Sequence, residues 1–150
     1  MALTVSAVNA CDASLWLDDA TGIQQDISGS SNVVDLNFDQ NIADYTAFQN
    51  EWPGRMCCGK DASFTVTVIY SRTNNEAYDV IKNWYFGTAS CTARSFSLYL
   101  PDKDVGSDFY TAEVLLENFT FTADRGEAGP IMVTATLLPH GTVTLSTAVT

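Results

Sequence analysis

Two short segments of alternating polarity bracket the part of this sequence that most limits how it can fold. Val33-Val34-Asp35-Leu36-Asn37-Phe38 and Phe64-Thr65-Val66-Thr67-Val68-Ile69-Tyr70 place apolar side chains at nearly every second position, the period of a half-buried strand. Residues 39–63 separate them, and nothing there reads as a tight turn. Tyr45, Phe48, Trp52 and Met56 recur in this insert at spacings of three or four, the stripe of a short helix. The expectation is therefore a long inter-strand loop over 39–63 with a helical turn inside it. Loops of that length are uncommon in compact domains and usually functional. Its aromatic surface has to be covered, and if its own domain does not do so a neighbouring subunit must. That reasoning points to assembly rather than catalysis.

A chain of 150 residues suits one domain with a sizeable core. Eighteen acidic residues against seven basic ones leave a net charge of −11, and no Lys/Arg cluster interrupts the acidity. Such a surface repels phosphate, so tight nucleic-acid binding is excluded. The opening Met1-Ala2-Leu3-Thr4 lacks the basic and apolar regions of a signal peptide, and no stretch reaches the ~18 apolar residues of a membrane span. The expectation is a protein made in the cytosol without a membrane anchor, with Cys11, Cys57, Cys58 and Cys91 as thiols.

Along the chain, Leu3-Thr4-Val5-Ser6-Ala7-Val8 alternates and predicts a strand. Ser14-Leu15-Trp16-Leu17 and Ile23-Gln24-Gln25-Asp26-Ile27 flank Asp18-Asp19-Ala20-Thr21-Gly22, a hairpin turn that lacks the ligand spacing of a calcium loop. Thr73-Asn74-Asn75-Glu76 has capping-box form. Ala77, Val80, Ile81 and Trp84 follow on one helical face and Gly87 marks the stop, which predicts a helix over 74–86. Trp84 and Tyr85 are expected to seal it against a sheet. Ser95-Phe96-Ser97-Leu98-Tyr99-Leu100 is a strand, and the turn-rich Asp102-Lys103-Asp104-Val105-Gly106-Ser107 follows. Residues 109–121 need a bulge near Leu115-Leu116 to bring both Val114 and Phe119 inward, and residues 131–138 return. These elements predict a mainly β fold: an antiparallel β-sandwich or barrel with one flanking α-helix.

No catalytic constellation emerges. His140 is the sole histidine and sits in the turn Leu138-Pro139-His140-Gly141, Cys57 and Cys58 are adjacent rather than at zinc-finger spacing, and no phosphate-binding glycine motif occurs. Neither a cofactor nor a metal is expected. Glu113 and Glu117 fit one strand face as solvated acids. Trp16, Trp52 and Trp84 would make a sugar-stacking face only if the helix released Trp84.

The order of elements resembles the major tail tube proteins of long-tailed bacteriophages. The resemblance rests on Asp26-Ile27-Ser28-Gly29 with residues 33–38, on Tyr45-Thr46-Ala47-Phe48 through Trp52, Pro53 and Arg55, and on residues 61–70. The closing Ala135-Thr136-Leu137-Leu138-Pro139-His140-Gly141-Thr142-Val143 is similar to that family's last strands. It implies a virion subunit that closes into hexameric rings stacked as a hollow tube, through which DNA passes without tight binding. Its partners would be other copies of itself, tape measure, terminator and baseplate or tip proteins. On this reading Tyr45, Phe48, Trp52 and Met56 make assembly contacts, and Asp35, Asn37 and Asp39, with Glu113 or Glu117, face the lumen. The readings of another class are a monomeric β-sandwich module binding sugar or protein, and a tail-terminator or capsid-decorating relative.

Overall fold

The computed structural model describes residues 10–49, 51–88, 90–100, 106–123, 125–126 and 128–147. Among its longest elements are β3 (Ser31–Tyr45) and β4 (Gly54–Ile69), which pair antiparallel from Ser31↔Val68 out to Tyr45↔Gly54. The insert is thus not the expected loop over 39–63. Both strands run on into it, and the connection proper is residues 46–53. Pairing satisfies the backbone groups of both segments at once, whereas a short isolated helix is marginal in water. The three-and-four spacing of the insert's apolar residues was misleading: Tyr45 and Met56 lie on the strands and Phe48 and Trp52 on the connection. Register shifts at Ser31/Val33 and Gln40/Ile42 bracket the regular part of β3.

Six further strands complete one antiparallel sheet: β1 (Ser14–Asp18), β2 (Gln24–Asp26), β5 (Arg94–Leu100), β6 (Asp108–Thr122), β7 (Met132–Pro139) and β8 (Thr144–Thr147). The order is β2-β1-β5-β6-β7-β4-β3, and β8 continues the line of β7 along β6. The sheet curls until Phe38 on β3 meets Tyr110 on β6, ring centroids 5.7 Å apart. The expected slip in β6 occurs between Leu116 and Asn118, and it does turn Val114 and Phe119 to the same side. The strand expected over residues 3–8 and the connection over 102–105 lie outside the described residues.

One helix, α1 (Ala77–Phe86), packs on the concave side of the sheet through Ala77, Val80, Ile81 and Trp84, all buried with Phe64, Val66, Phe96, Val114 and Leu137. It starts later than the capping box predicts. Asn75 takes the left-handed conformation (φ 62°), and the cap comes from elsewhere: Ser30 Oγ accepts the Ala77 N–H at 3.1 Å, and Asp79 Oδ2 accepts the Asn75 N–H at 3.0 Å. Gly87 ends the helix as expected, because a Cβ there would run into the Asn83 carbonyl. Trp84 is sealed, its indole N–H donating to the Thr92 carbonyl at 3.0 Å. Tyr85 is not: it stays half-exposed and rests edge-on against Phe119. Among the described residues no helix is long and apolar enough to cross a membrane.

Candidate assembly surfaces

β4 pairs with β7 only from Phe64 to Ile69. Ala62 is still buried and Phe38 opposite it meets Tyr110, but beyond them residues 54–60 and their partners on β3 leave the sheet as a free two-stranded arm, on the order of 20 Å long at the rise of a β-strand. The arm carries Ile42, Tyr45, Phe48, Trp52 and Met56, every one exposed, with Trp52 82% accessible. The Tyr45 ring fills the space over Gly54 that a Cβ would need, closing the neck of the connection. Arg55 Nε donates to Asp44 Oδ1 at 3.1 Å across the arm. A pair this exposed contributes little stability. The arm is thus apolar surface that the chain builds and does not cover.

The side of the sheet turned away from the core is polar. On β3, Val34 and Leu36 pack on the core, so Asp35, Asn37 and Asp39 point the other way, all exposed. Cross-strand pairing extends that face into rows over β4, β7 and β6: Asp35, Thr65, Thr136 and Asn118 in one, Val33, Thr67, Thr134 and Thr120 in the next. Glu113 and Glu117 are exposed on β6; Glu113 accepts the Ser95 hydroxyl at 2.6 Å, and Glu117 sits at the bulge. The nine residues singled out from the sequence therefore fall into two places: four on the arm, and five on the convex sheet, where Glu113 lies five residues along β6 from the Asp35 row.

Two open strand edges bound this polar face. β3 pairs with β4 alone, and the half of β6 beyond Val114 has β7 on one side with no strand of the described residues on the other. Where the arm leaves the sheet, a cleft of about 710 Å³ opens between Phe38, Asp39, Lys60 and Asp61 on one wall and Tyr110 and Leu145 on the other.

Sequence reasoning missed two features. At the end of the sheet remote from the arm, Tyr70, Phe121 and the partly buried Tyr78 form an aromatic cluster open to solvent, the Tyr70 ring centroid lying 4.7 Å from that of Tyr78 and 5.9 Å from that of Phe121. Inside, Arg94 is buried, its guanidinium 4.8 Å from the Trp84 ring. Loss of solvent pulls its pKa down, and the same cause pushes the Asp18 carboxyl up. At the β1–β2 turn, Asp19 is held below the usual carboxylate range, first by the Thr21 hydroxyl and then by the Ile23 and Thr21 N–H groups and the Gln25 amide. Its oxygens are occupied by the turn, which suits a structural role. Trp16, Trp52 and Trp84 sit on β1, the arm tip and the core, so they share no face.

No family model and no curated protein matches this sequence. Solved structures do. The chain superposes on the tail of a gene transfer agent particle refined with C6 symmetry (TM-score 0.68, 14% identity, 93% of this chain and 99% of that one). It is similar to the SPP1 tail tube (0.74, 13%, 96% and 81%) and to a chain of the anti-feeding prophage baseplate (0.73, 10%, 98% and 98%). This chain has the tail tube fold.

Proposed function

We propose that the protein is a tail tube subunit whose copies close side by side into hexameric rings, the rings stacking into an acidic-lined conduit for DNA. One observation carries this reading. Strands β3, β4, β7 and β6 form a polar face bounded by two unpaired edges, and each antiparallel step reverses direction, so β3 and β6 run oppositely. A copy rotated about the tube axis would bring its β3 antiparallel to the open half of β6. Such a contact joins two different surfaces, so it generates a ring or a filament rather than a closed pair. The six-fold symmetry of the gene transfer agent tail supports six copies.

Closure removes both exposed edges. It would turn Asp35, Asn37 and Asp39 inward with the Thr rows; Glu113 and Glu117 belong to the same convex side. Six subunits at −11 each carry −66 per ring, and a wall of that sign does not hold phosphate. The arm, with Tyr45, Phe48, Trp52 and Met56, reaches beyond its own ring to the next. Sheath, baseplate, terminator and cap structures among the similar chains support partners of those kinds. Negative-stain microscopy of the purified protein over a concentration series tests the proposal: stacked rings with a central hole are expected. A particle that stays near 16 kDa would favour the monomeric binding module, and rings that never stack would favour a terminator.

A further inference from the structure

We infer that the aromatic cluster of Tyr70, Tyr78 and Phe121, with Ile131 beside it, is the seat for the arm of a second copy in the adjoining ring. The inference rests on the tube reading and names the surface on which its rings meet. Its ground is the polarity of one strand. The arm tip joins β4 at Gly54, and Tyr70 directly follows Ile69 at the other end, on the order of 50 Å away at the rise of a strand. Tyr70 is tied there by its N–H, which donates to the Ile131 carbonyl at 2.8 Å. Arm and cluster thus lie at opposite ends of the same sheet. Copies stacked head to tail along the strands bring each arm tip to the cluster of the next.

The two ends are also complementary. The tip presents Phe48 and Trp52 with Glu51 between them in sequence. The cluster is apolar at its centre and three cations flank it: Arg72 follows Tyr70 by two residues, Arg125 follows Phe121 by four, and Lys82 lies 5.6 Å from the centre of the Tyr78 ring; Asp79, which pairs with Lys82 at 3.4 Å, and Glu76 are the acids of the same segment. In a chain with seven basic residues, Arg72, Lys82 and Arg125 gather at this end, two more are on the arm itself, and Arg94 is buried. An aromatic platform flanked by exposed Arg72 and Arg125 suits an aromatic tip that carries Glu51, and this chain supplies one on each copy.

The test compares ring formation with ring stacking in the full chain, by sedimentation velocity and negative-stain microscopy. Tyr70→Ser with Phe121→Ser is expected to leave rings at the wild-type concentration and to raise the concentration for tubes about tenfold or more. Arg72→Glu with Arg125→Glu, on exposed positions that leave the fold alone, is expected to act in the same direction, and Glu51→Arg added to it is expected to restore tubes. Folding is checked by circular dichroism, and if the aromatic pair fails to fold the charge series carries the test. Tubes of wild-type length from the charge-reversed protein, or no rescue by Glu51→Arg, overturn the inference, as does a folded variant that loses rings as well as tubes. A wild-type protein that never leaves the monomer overturns the tube reading itself, and this inference with it.

Discussion

Replacing Trp52 by Ser separates a side chain that serves the fold from one that serves assembly. Trp52 is 82% exposed at the arm tip, and the arm has no other element beside it to pack against. Truncation should therefore change monomer stability by no more than ~0.5 kcal/mol, the range for surface positions. Covering that indole against another copy removes roughly 200 Å² of largely apolar surface, a ceiling of about 5 kcal/mol at 25 cal/mol per Å². Ordering the arm consumes part of this, and central aromatic anchors at interfaces deliver about 2 kcal/mol or more on truncation. That is a shift of roughly 30-fold in the concentration for half-assembly. Pelleting across a dilution series reads the shift, and thermal unfolding below the assembly threshold reads the monomer. A Trp52→Ser protein that melts several degrees earlier yet polymerises like the wild type would refute the reasoning, because the indole would then be packed on its own subunit.

Asp35→Lys is expected to leave rings and tubes intact while slowing DNA ejection from reconstituted particles; an unchanged ejection rate removes Asp35 from the lumen. Trp84→Ala should cost about 3–5 kcal/mol in urea unfolding, since it empties a fully buried indole site and withdraws the ring stacked on Arg94; a loss below ~1 kcal/mol contradicts the packing described. Asp19→Asn should lower the melting temperature at pH 7. A depressed folded pKa gives stability that is present above the unfolded value and lost as pH falls toward the folded one, so the gap to wild type should close on acidification; a pH-independent gap would assign the effect to shape alone. Raising ionic strength from about 10 mM to 150 mM shortens the screening length from roughly 30 Å to 8 Å and should promote assembly, because the −11 on every subunit outweighs the few opposite-charge contacts at the arm seat. Turbidity that falls with salt would reverse that ranking.

The sheet was legible where one face is buried and the other is not. Phe64, Val66 and Val68 alternate with Ser63, Thr65 and Thr67 because the core lies on one side alone, and the β6 bulge announces itself as a slip in the same rhythm. The arm carries no such signal. Past Ala62 both of its faces meet solvent, so nothing selects apolar residues at every second position, and Arg55, Cys57, Lys60 and Asp61 follow no period. The helix start was misread because its cap is Ser30, distant in sequence, rather than the nearby Thr73. The aromatic seat was invisible for the same reason: Tyr70 ends β4, Tyr78 belongs to α1 and Phe121 to β6, and only the folded sheet brings the three together.

Two open strand edges and an uncovered aromatic arm would normally make a protein aggregate, and the features that restrain this chain are the ones that suit it to ordered growth. The register shifts on β3 leave a regular ledge only over residues 33–40, equal in length to the open residues 115–122 of β6. Outside that ledge the bulges twist the edge away from casual partners. The ledge itself carries Asp35 and Asp39, so two β3 edges meeting each other place two acids against two, whereas β3 against β6 sets them opposite a strand with a single acid, Glu117, among Thr, Asn, Leu and Phe. Net charge acts in the same sense at longer range, disfavouring any contact too small to outweigh −11 against −11. What remains favourable is the arrangement that engages edge and arm together on several neighbours at once, which a closed ring on a stack provides and an encounter of two copies does not.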